Sequence, residues 1–273
     1  MGRLRPALVY TGIALAVLPF ALPLLWVVVT AFRPAPELFQ TPASWLPGRL
    51  TLENLVEAWR LLDFRRFLLN SALVAGLTVA GTVMSSSLVG YAFATLPARG
   101  RGVLFALLLA TAMLPAAVTL LPRFLLFSSL GWVGTYLPLV VPHFLGSPFY
   151  VFLFRQFFRG LPRELFDCAE LDGCDPLRTY WHVALPLARP AVAVVAVFAA
   201  IGSYNEFLEP LVYLTRESTF TMSLGLSFFQ GLYGTQLQYM VPMSLVALLP
   251  VAVAFFAAQG VFRRGVVLAG GRP

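Results

Sequence analysis

An all-α polytopic membrane protein with six transmembrane helices is the fold class that the sequence predicts, on three observations. Hydrophobic residues make up 59% of the 273 and mean hydropathy is +0.82, well above the apolar share of a soluble domain. Six stretches approach the ~20 apolar residues that a helix needs to cross the hydrocarbon core. Threaded alternately through a bilayer, they leave the excess of positive charge on one side.

The first span, Leu8–Phe32, is longer and more interrupted by proline than a signal-peptide core, and no small-residue cleavage site followed by a soluble domain comes after it, so it reads as retained. The second, Phe67–Ala94, contains Ser85-Ser86-Ser87. With no neighbouring His or Asp to form a nucleophile–base pair, these serines read as small residues at a helix–helix contact. The third and fourth spans are placed at Val103–Leu121 and Thr135–Phe154, the latter carrying His143 beside Pro142. An imidazole at that depth is either functional or a packing and hydrogen-bonding group. The fifth is Leu187–Leu208 and the sixth Tyr239–Phe262. Nothing reads as a separate soluble domain, so residues 1–273 are expected to form a single transmembrane domain.

Orientation follows from charge. With the N-terminus inside, the inner segments hold arginines 3, 5, 99, 101, 155, 159, 163, 178, 189, 263, 264 and 272. These are twelve of the nineteen basic residues, against five of the twelve acids; the outer segments hold seven of each, so the whole formal +7 lies on one face. This positive-inside pattern places both termini and the loop around 155–189 in the cytoplasm. It also accounts for a pI near 9.9 without nucleic acid.

The inter-span loop at 161–186 is the most informative segment. Leu161 to Asp175 holds five of the chain's twelve acids. Pro162 suits a first helical turn and Gly173 the residue just past a helix end. Glu164, Asp167 and Glu170 recur every three residues and share one face, whereas Leu165, Phe166 and Ala169 form another. A second short helix follows, capped by Asp175, opened by Pro176, and expected to end at Pro186 before Arg189-Pro190. Both are too polar to be spans. An exposed helix with one acidic and one apolar face is a protein-docking element.

These residues resemble the cytoplasmic EAA loop of membrane subunits of ATP-binding-cassette (ABC) importers, whose pattern runs E-A-A, three residues, G, then about nine residues to hydrophobic-Leu-Pro. Here it stands as Asp167-Cys168-Ala169, Gly173 and Ala184-Leu185-Pro186, with Asp in place of Glu. Further matches lie in order along the chain. Asn70-Ser71 resembles the N-S start of the second span in sugar-importer permeases, and Met113-Leu114-Pro115 with Leu121-Pro122 resembles their M-L-P and following P. Leu130 to Thr135 resembles an outer L-G-hydrophobic-x-N-T turn with Gly134 for the Asn, and Tyr204-Asn205-Glu206-Phe207 with Pro210-Leu211 resembles W-N-[DE]-F…P-L. Phe262, Gly265 and Ala269-Gly270 resemble the end of the shorter carbohydrate-importer subunit, although its terminal Lys is absent.

What the resemblance implies is a type I importer permease fold and no chemistry in this subunit. The chain would be half of a two-permease pore, beside a second permease, two cytoplasmic ATP-binding subunits and an extracytoplasmic solute-binding protein. Glu164, Asp167, Ala169, Asp172, Gly173, Leu185 and Pro186 would couple it to the ATPase. Proline-bearing stretches at 113–122 and 138–148 would supply hinges and non-helical pore lining. The tail 263–273 would be cytoplasmic, with Gly265, Ala269 and Gly270 within a segment that senses ATPase closure; a plain basic anchor at the headgroups is the alternative.

At the outer end of the fifth span, Glu206 and Glu209 lie three apart and share a side, and a lipid-facing carboxylate is costly. They are therefore expected to face the pathway, with Tyr204 and Asn205 adding groups able to bond sugar hydroxyls. The alternative has Glu206 stabilising the helix end or pairing with Arg216. No catalytic set, cofactor or metal is expected. Gly100-Arg101-Gly102 lacks the GK[ST] of a P-loop, so ATP hydrolysis falls to a partner. Cys168 and Cys174 have no further Cys or His to complete a ligand set and read as small hydrophobes. The same tail and Asn205-Glu206-Phe207 favour a carbohydrate over amino acids, polyamines or phosphate, and leave open whether that carbohydrate is a sugar phosphate. A secondary transporter would need an inverted repeat or an intramembrane charge relay, and neither is visible.

Overall fold

The computed structural model describes residues 4–38, 47–231 and 234–270. In chain order its helices are α1 (Leu4–Ala31), α2 (Ala35–Leu38), α3 (Glu53–Leu61), α4 (Phe64–Thr95), α5 (Arg101–Thr111), α6 (Ala116–Ser129), α7 (Leu137–Val140), α8 (Pro148–Arg159), α9 (Glu164–Leu171), α10 (Pro176–Thr179), α11 (Leu185–Leu187), α12 (Arg189–Asn205), α13 (Leu208–Tyr213), α14 (Met222–Ser227) and α15 (Leu237–Gly270). A 3-10 turn at Val141–Leu145 joins α7 to α8, and a π-turn at Tyr180–Ala184 joins α10 to α11.

Among the described residues four helices are long and apolar enough to cross a membrane: Val9–Ala31, Phe64–Thr95, Leu137–Arg159 and Leu237–Phe256. Two bent pairs raise the number to six if each counts as one span. The first falls where the prolines of 113–122 were expected to place a hinge. Val103–Leu121 is not continuous but is divided between α5 and α6, which meet at 94°. Pro115 sits at the break with ψ 136°, and having no N–H it cannot extend the α5 ladder. The second pair bends by 78° between Leu187 and Arg189. Helical backbone therefore passes through Pro186, where the loop helix was expected to stop. In the π-turn the Leu185 N–H reaches back five residues to the Tyr180 carbonyl, so the turn absorbs the register change that an internal proline imposes. α15 likewise runs past Phe262, to Gly270.

The chain divides into two compact units. In the first, Met1–Phe64 with Gly225–Pro250, the end of α1 is tied to α3. The Thr51 N–H donates to the Phe32 carbonyl at 2.8 Å and the Asn54 amide to that of Arg33 at 2.9 Å. Arg33 is buried, its guanidinium 5.5 Å from the Trp26 ring. Trp59, Phe64, Phe229 and Tyr239 follow one another in ring contacts of 5.7–6.4 Å. Gln230 and Thr235 face each other in a two-stranded antiparallel pair.

The second unit, Arg65–Leu224 with Val251–Pro273, has two packed cores. Tyr91 of α4, Phe154 and Phe158 of α8, Tyr180 and Ala184 of the loop, and Ala191 and Val195 of α12 make one. Gly90 lets α4 and α8 close: a Cβ there would lie 2.7 Å from the Phe154 Cβ and 3.0 Å from two α8 backbone atoms. Val74, Phe127, Leu139, Tyr213, Leu214 and Leu224 make the other. Where lipid removes much of the hydrophobic drive between helices, small residues and interhelical hydrogen bonds hold them, and the three serines of α4 serve that purpose. The Ser85 hydroxyl donates to the His143 carbonyl at 3.0 Å, Ser86 Oγ accepts from the Ser147 N–H at 3.2 Å, and Ser87 bonds the Tyr180 hydroxyl at 2.6 Å.

Candidate coupling loop and polar cavity

The loop is built by local signals and then bolted to the core. α9 ends in a Schellman motif: the Gly173 N–H donates to the Glu170 carbonyl at 3.0 Å and the Cys174 N–H to that of Ala169 at 2.9 Å. Gly173 takes φ 77°, a conformation that a Cβ disfavours. Asp175 then caps α10, its carboxylate accepting from the Arg178 N–H at 2.8 Å.

Two faces result. Ala169 is buried, and the Phe166 ring lies 6.2 Å from that of Tyr91. Through the Tyr180–Ser87 bond and Ala184, the loop's second half enters the same core. The other face is open. Glu164, Asp167, Glu170, Asp172 and Asp175 are all exposed, and so are Leu165, Leu171 at 87%, Leu177 and Trp181. Leu185 is half-buried and packs on the core, while Pro186 is exposed. Cys168 is exposed and Cys174 half-buried, one on α9 and the other just past its Schellman turn. Asp167 and Glu170 share a groove of about 510 Å³ with Arg101, Arg159 and Arg163.

At the other core, α4 captures the chain between α13 and α14. The Asn70 amide donates to the carbonyls of Ser218 and Phe220 at 3.0 and 2.9 Å, and Ser71 Oγ accepts from the Met222 N–H at 2.7 Å. Gly134 takes φ 85° and its N–H donates to the Tyr213 carbonyl at 2.8 Å. Asn is the residue that tolerates this left-handed conformation next best, so Gly in place of the usual Asn preserves the turn.

A cavity of about 250 Å³ lies here, lined by Arg123, His143, Ser203, Glu206, Glu209 and Thr221 among others. Arg123 Nη1 donates to Glu209 Oε1 at 2.7 Å, with the two side chains 32% and 22% exposed. Burial raises the Glu209 carboxyl above its usual pKa, while the Arg123 guanidinium pulls it down. Glu206 accepts from the N–H groups of Leu208 and Glu209 at 3.0 and 3.2 Å, satisfying two orphan donors at the start of α13. Tyr204 points elsewhere: it is buried and its hydroxyl meets no partner among the described residues. Asn205 is exposed and does not line the cavity. Arg216 donates to the Gly134 carbonyl at 3.3 Å. Local sequence does not single out Arg123, whose partner is 86 residues away, or Tyr180; a lone arginine after Pro122 is the one signal it carries.

Gly265, Ala269 and Gly270 lie on the last turns of α15. Side chains beyond Phe256, and residues 271–273 altogether, lie outside those described.

Residues 86–266 match the family described as the binding-protein-dependent transport system inner membrane component. Among relatives, the arabinooligosaccharides transport system permease protein AraQ of Halalkalibacterium halodurans is 33% identical over 91% of this chain and 90% of its own. The trehalose/maltose transport system permease protein MalG of Thermococcus litoralis is 30% identical over 85% and 84%. A chain of a bacterial ABC transporter involved in import of the acidic polysaccharide alginate shares the fold at a TM-score of 0.81, with 18% identity over 96% of this chain and 99% of that one. The chain therefore belongs to the binding-protein-dependent transport system inner membrane components, the permease subunits of ABC importers, in which a separate ATPase hydrolyses ATP.

Proposed function

We propose that this chain forms half of the translocation pore of a carbohydrate importer and is driven through its 161–186 loop. The observation that carries the reading is the two-faced loop. One face is fixed to α4, α8 and α12 by Phe166, Ala169, Tyr180 and Ala184. The other presents acids and large apolar side chains to water. Apolar groups exposed beside a charged rim are what a partner's groove would cover, and a partner pushing there would move the helices as a body. The partners are a second permease, two ATP-binding subunits that receive the loop, and a solute-binding protein on the other side of the bilayer. Both termini face the cytoplasm. Glu164, Asp167 and Asp172 supply charge to the docking face, Gly173 its geometry, and Leu185 and Pro186 its junction with α12. Gly265, Ala269 and Gly270 belong to a tail that reports ATPase closure. The names of the relatives, which carry arabinooligosaccharides and trehalose or maltose, support a saccharide cargo.

Co-purification of the ATPase with tagged complexes tests the docking face. Asp167→Asn should reduce ATPase recovery and saccharide-stimulated hydrolysis, whereas Asp167→Glu, which keeps the charge and restores the family residue, should retain both. Equal recovery with the two variants would show that carboxylate charge does not hold this interface.

A further inference from the structure

The cavity around Arg123 and Glu209 narrows the cargo. Resting on the carbohydrate reading, we infer that it is a subsite for one ring of a neutral saccharide and that the Arg123–Glu209 pair makes it reject uronic, sulfated and phosphorylated sugars.

Three observations combine. Among the lining residues Arg123 is the sole cation, and its guanidinium is engaged by Glu209 at 2.7 Å. A carboxylate, sulfate or phosphate entering the cavity would have to displace Glu209. Glu206, also lining, adds a second negative charge with no cation paired to it among the described residues, so an anionic sugar ring meets repulsion in a partly desolvated space where charges are weakly screened. Hydroxyls meet the opposite reception. The His143 ring makes no hydrogen bond to another described residue, and Ser203 holds its nearest side-chain partner, Thr78 Oγ1, only at 3.4 Å. Imidazole, hydroxyl and an ion pair with unused lone pairs and N–H groups match the alternating donors and acceptors of a sugar ring. A volume of about 250 Å³, below the ~300–1,000 Å³ of sites for drug-sized ligands, suits one ring rather than a whole oligosaccharide.

Gly202 offers a clean way to close it. It lines the cavity, and a Cβ there would meet nothing within 4 Å. Leu in its place gains helix propensity within α12 and meets no clash at its Cβ, so it adds bulk at the cavity wall at little expected cost to the fold.

Saturation-transfer NMR on the complete detergent-solubilised importer, without its binding protein, reads the subsite directly, with maltotriose, arabinotriose and trigalacturonate as probes. Wild type should transfer saturation to at least one neutral trisaccharide and none to trigalacturonate. Gly202→Leu should weaken the neutral signal about tenfold in affinity, ~1.4 kcal/mol. Glu209→Gln, which frees Arg123, should admit trigalacturonate. Equal binding of trigalacturonate and the neutral sugars by wild type, or undiminished binding by Gly202→Leu, overturns the subsite while leaving the carbohydrate reading standing. If proteoliposomes supplied with the binding protein and ATP import no saccharide, neutral or acidic, both readings fall.

Discussion

At the loop end of the Arg65–Leu224 unit all five acids point outward, and helices meet through rings and small residues: Tyr91 on Phe158 at 5.8 Å, and Gly90 against the α8 backbone. Around the second core the acids turn inward. Glu209 and Arg123 pair beside a cavity, and Asn70 and Ser71 spend their polar groups on the chain ahead of α14. The difference follows the task. A surface that must engage a partner needs charge outside and a stiff interior, so that force on it is transmitted. A pathway for hydroxylated solute needs polar groups inside, which the protein tolerates only where they pair or cap. Conformational change is therefore expected at the second region, while the first moves as a block.

The stiffness of the loop end can be broken at one atom. A Cβ on Gly90 would lie 2.7 Å from the Phe154 Cβ and 3.0 Å from the Val151 carbonyl oxygen and the Arg155 nitrogen. Neither α8 backbone atom can move without moving the helix. Gly90→Ala should therefore cost about 3 kcal/mol, the upper part of the range for overpacking, seen as lower thermal stability and reduced ATPase recovery together. A variant that keeps its unfolding temperature would show that α4 and α8 slide against each other, and the contrast between rigid and mobile ends would dissolve.

The polar interior of the other region should answer to pH. Arg123→Met leaves Glu209 in place without its partner, and at neutral pH this should cost about 2 kcal/mol, less than a fully buried pair because water reaches both side chains. Burial already holds the Glu209 pKa above its unfolded value, and losing Arg123 removes the largest opposing influence. A carboxyl whose folded pKa is raised favours the fold while protonated and loses that contribution as pH rises through the folded pKa. The deficit of Arg123→Met relative to wild type should therefore shrink as pH falls through the carboxylate range and be largest at neutrality. In a Glu209→Gln background Arg123→Met should have an effect independent of pH in unfolding scans. A deficit independent of pH would place its origin in lost packing on Phe127, which lies 5.9 Å below the guanidinium.

What the sequence made legible is what neighbouring residues decide. Gly173 and Asp175 announce the helix end and the cap because the Schellman and N-cap bonds close within a few residues. Gly134 reads as a turn for the same reason. Glu206 was legible only in part: its place at the end of α12 is local, whereas its choice between lining a pathway and capping a helix depends on α13, and it does both. Prolines mislead in both directions. Pro115 lies in a stretch expected to hinge but turns the chain by a full 94°, and Pro186 fails to break a helix expected to end, since a proline can open a helix, kink it or be absorbed by a π-turn. The Arg123–Glu209 and Ser87–Tyr180 pairs join residues 86 and 93 apart, and nothing in local propensity selects such partners.

The smallest expected effect tests the loop end where it is most local. Gly173 lies at φ 77° with open space around its missing Cβ, so a side chain meets no steric clash and only the backbone conformation resists it. Valine, branched at Cβ, should cost about 1–2 kcal/mol there. Asn, which tolerates the left-handed region, should cost less. Because α9 and α10 are held to the core by Phe166 and Tyr180 rather than by the turn, Gly173→Val should leave global unfolding nearly unchanged. It should instead lower saccharide-stimulated ATP hydrolysis by misplacing the acids of α9 relative to α10. Gly173→Asn should recover most of that loss. Were both variants to lose coupling equally, the space beside Gly173 would be where the ATPase makes contact, and the glycine would be required for a partner's close approach rather than for the left-handed turn.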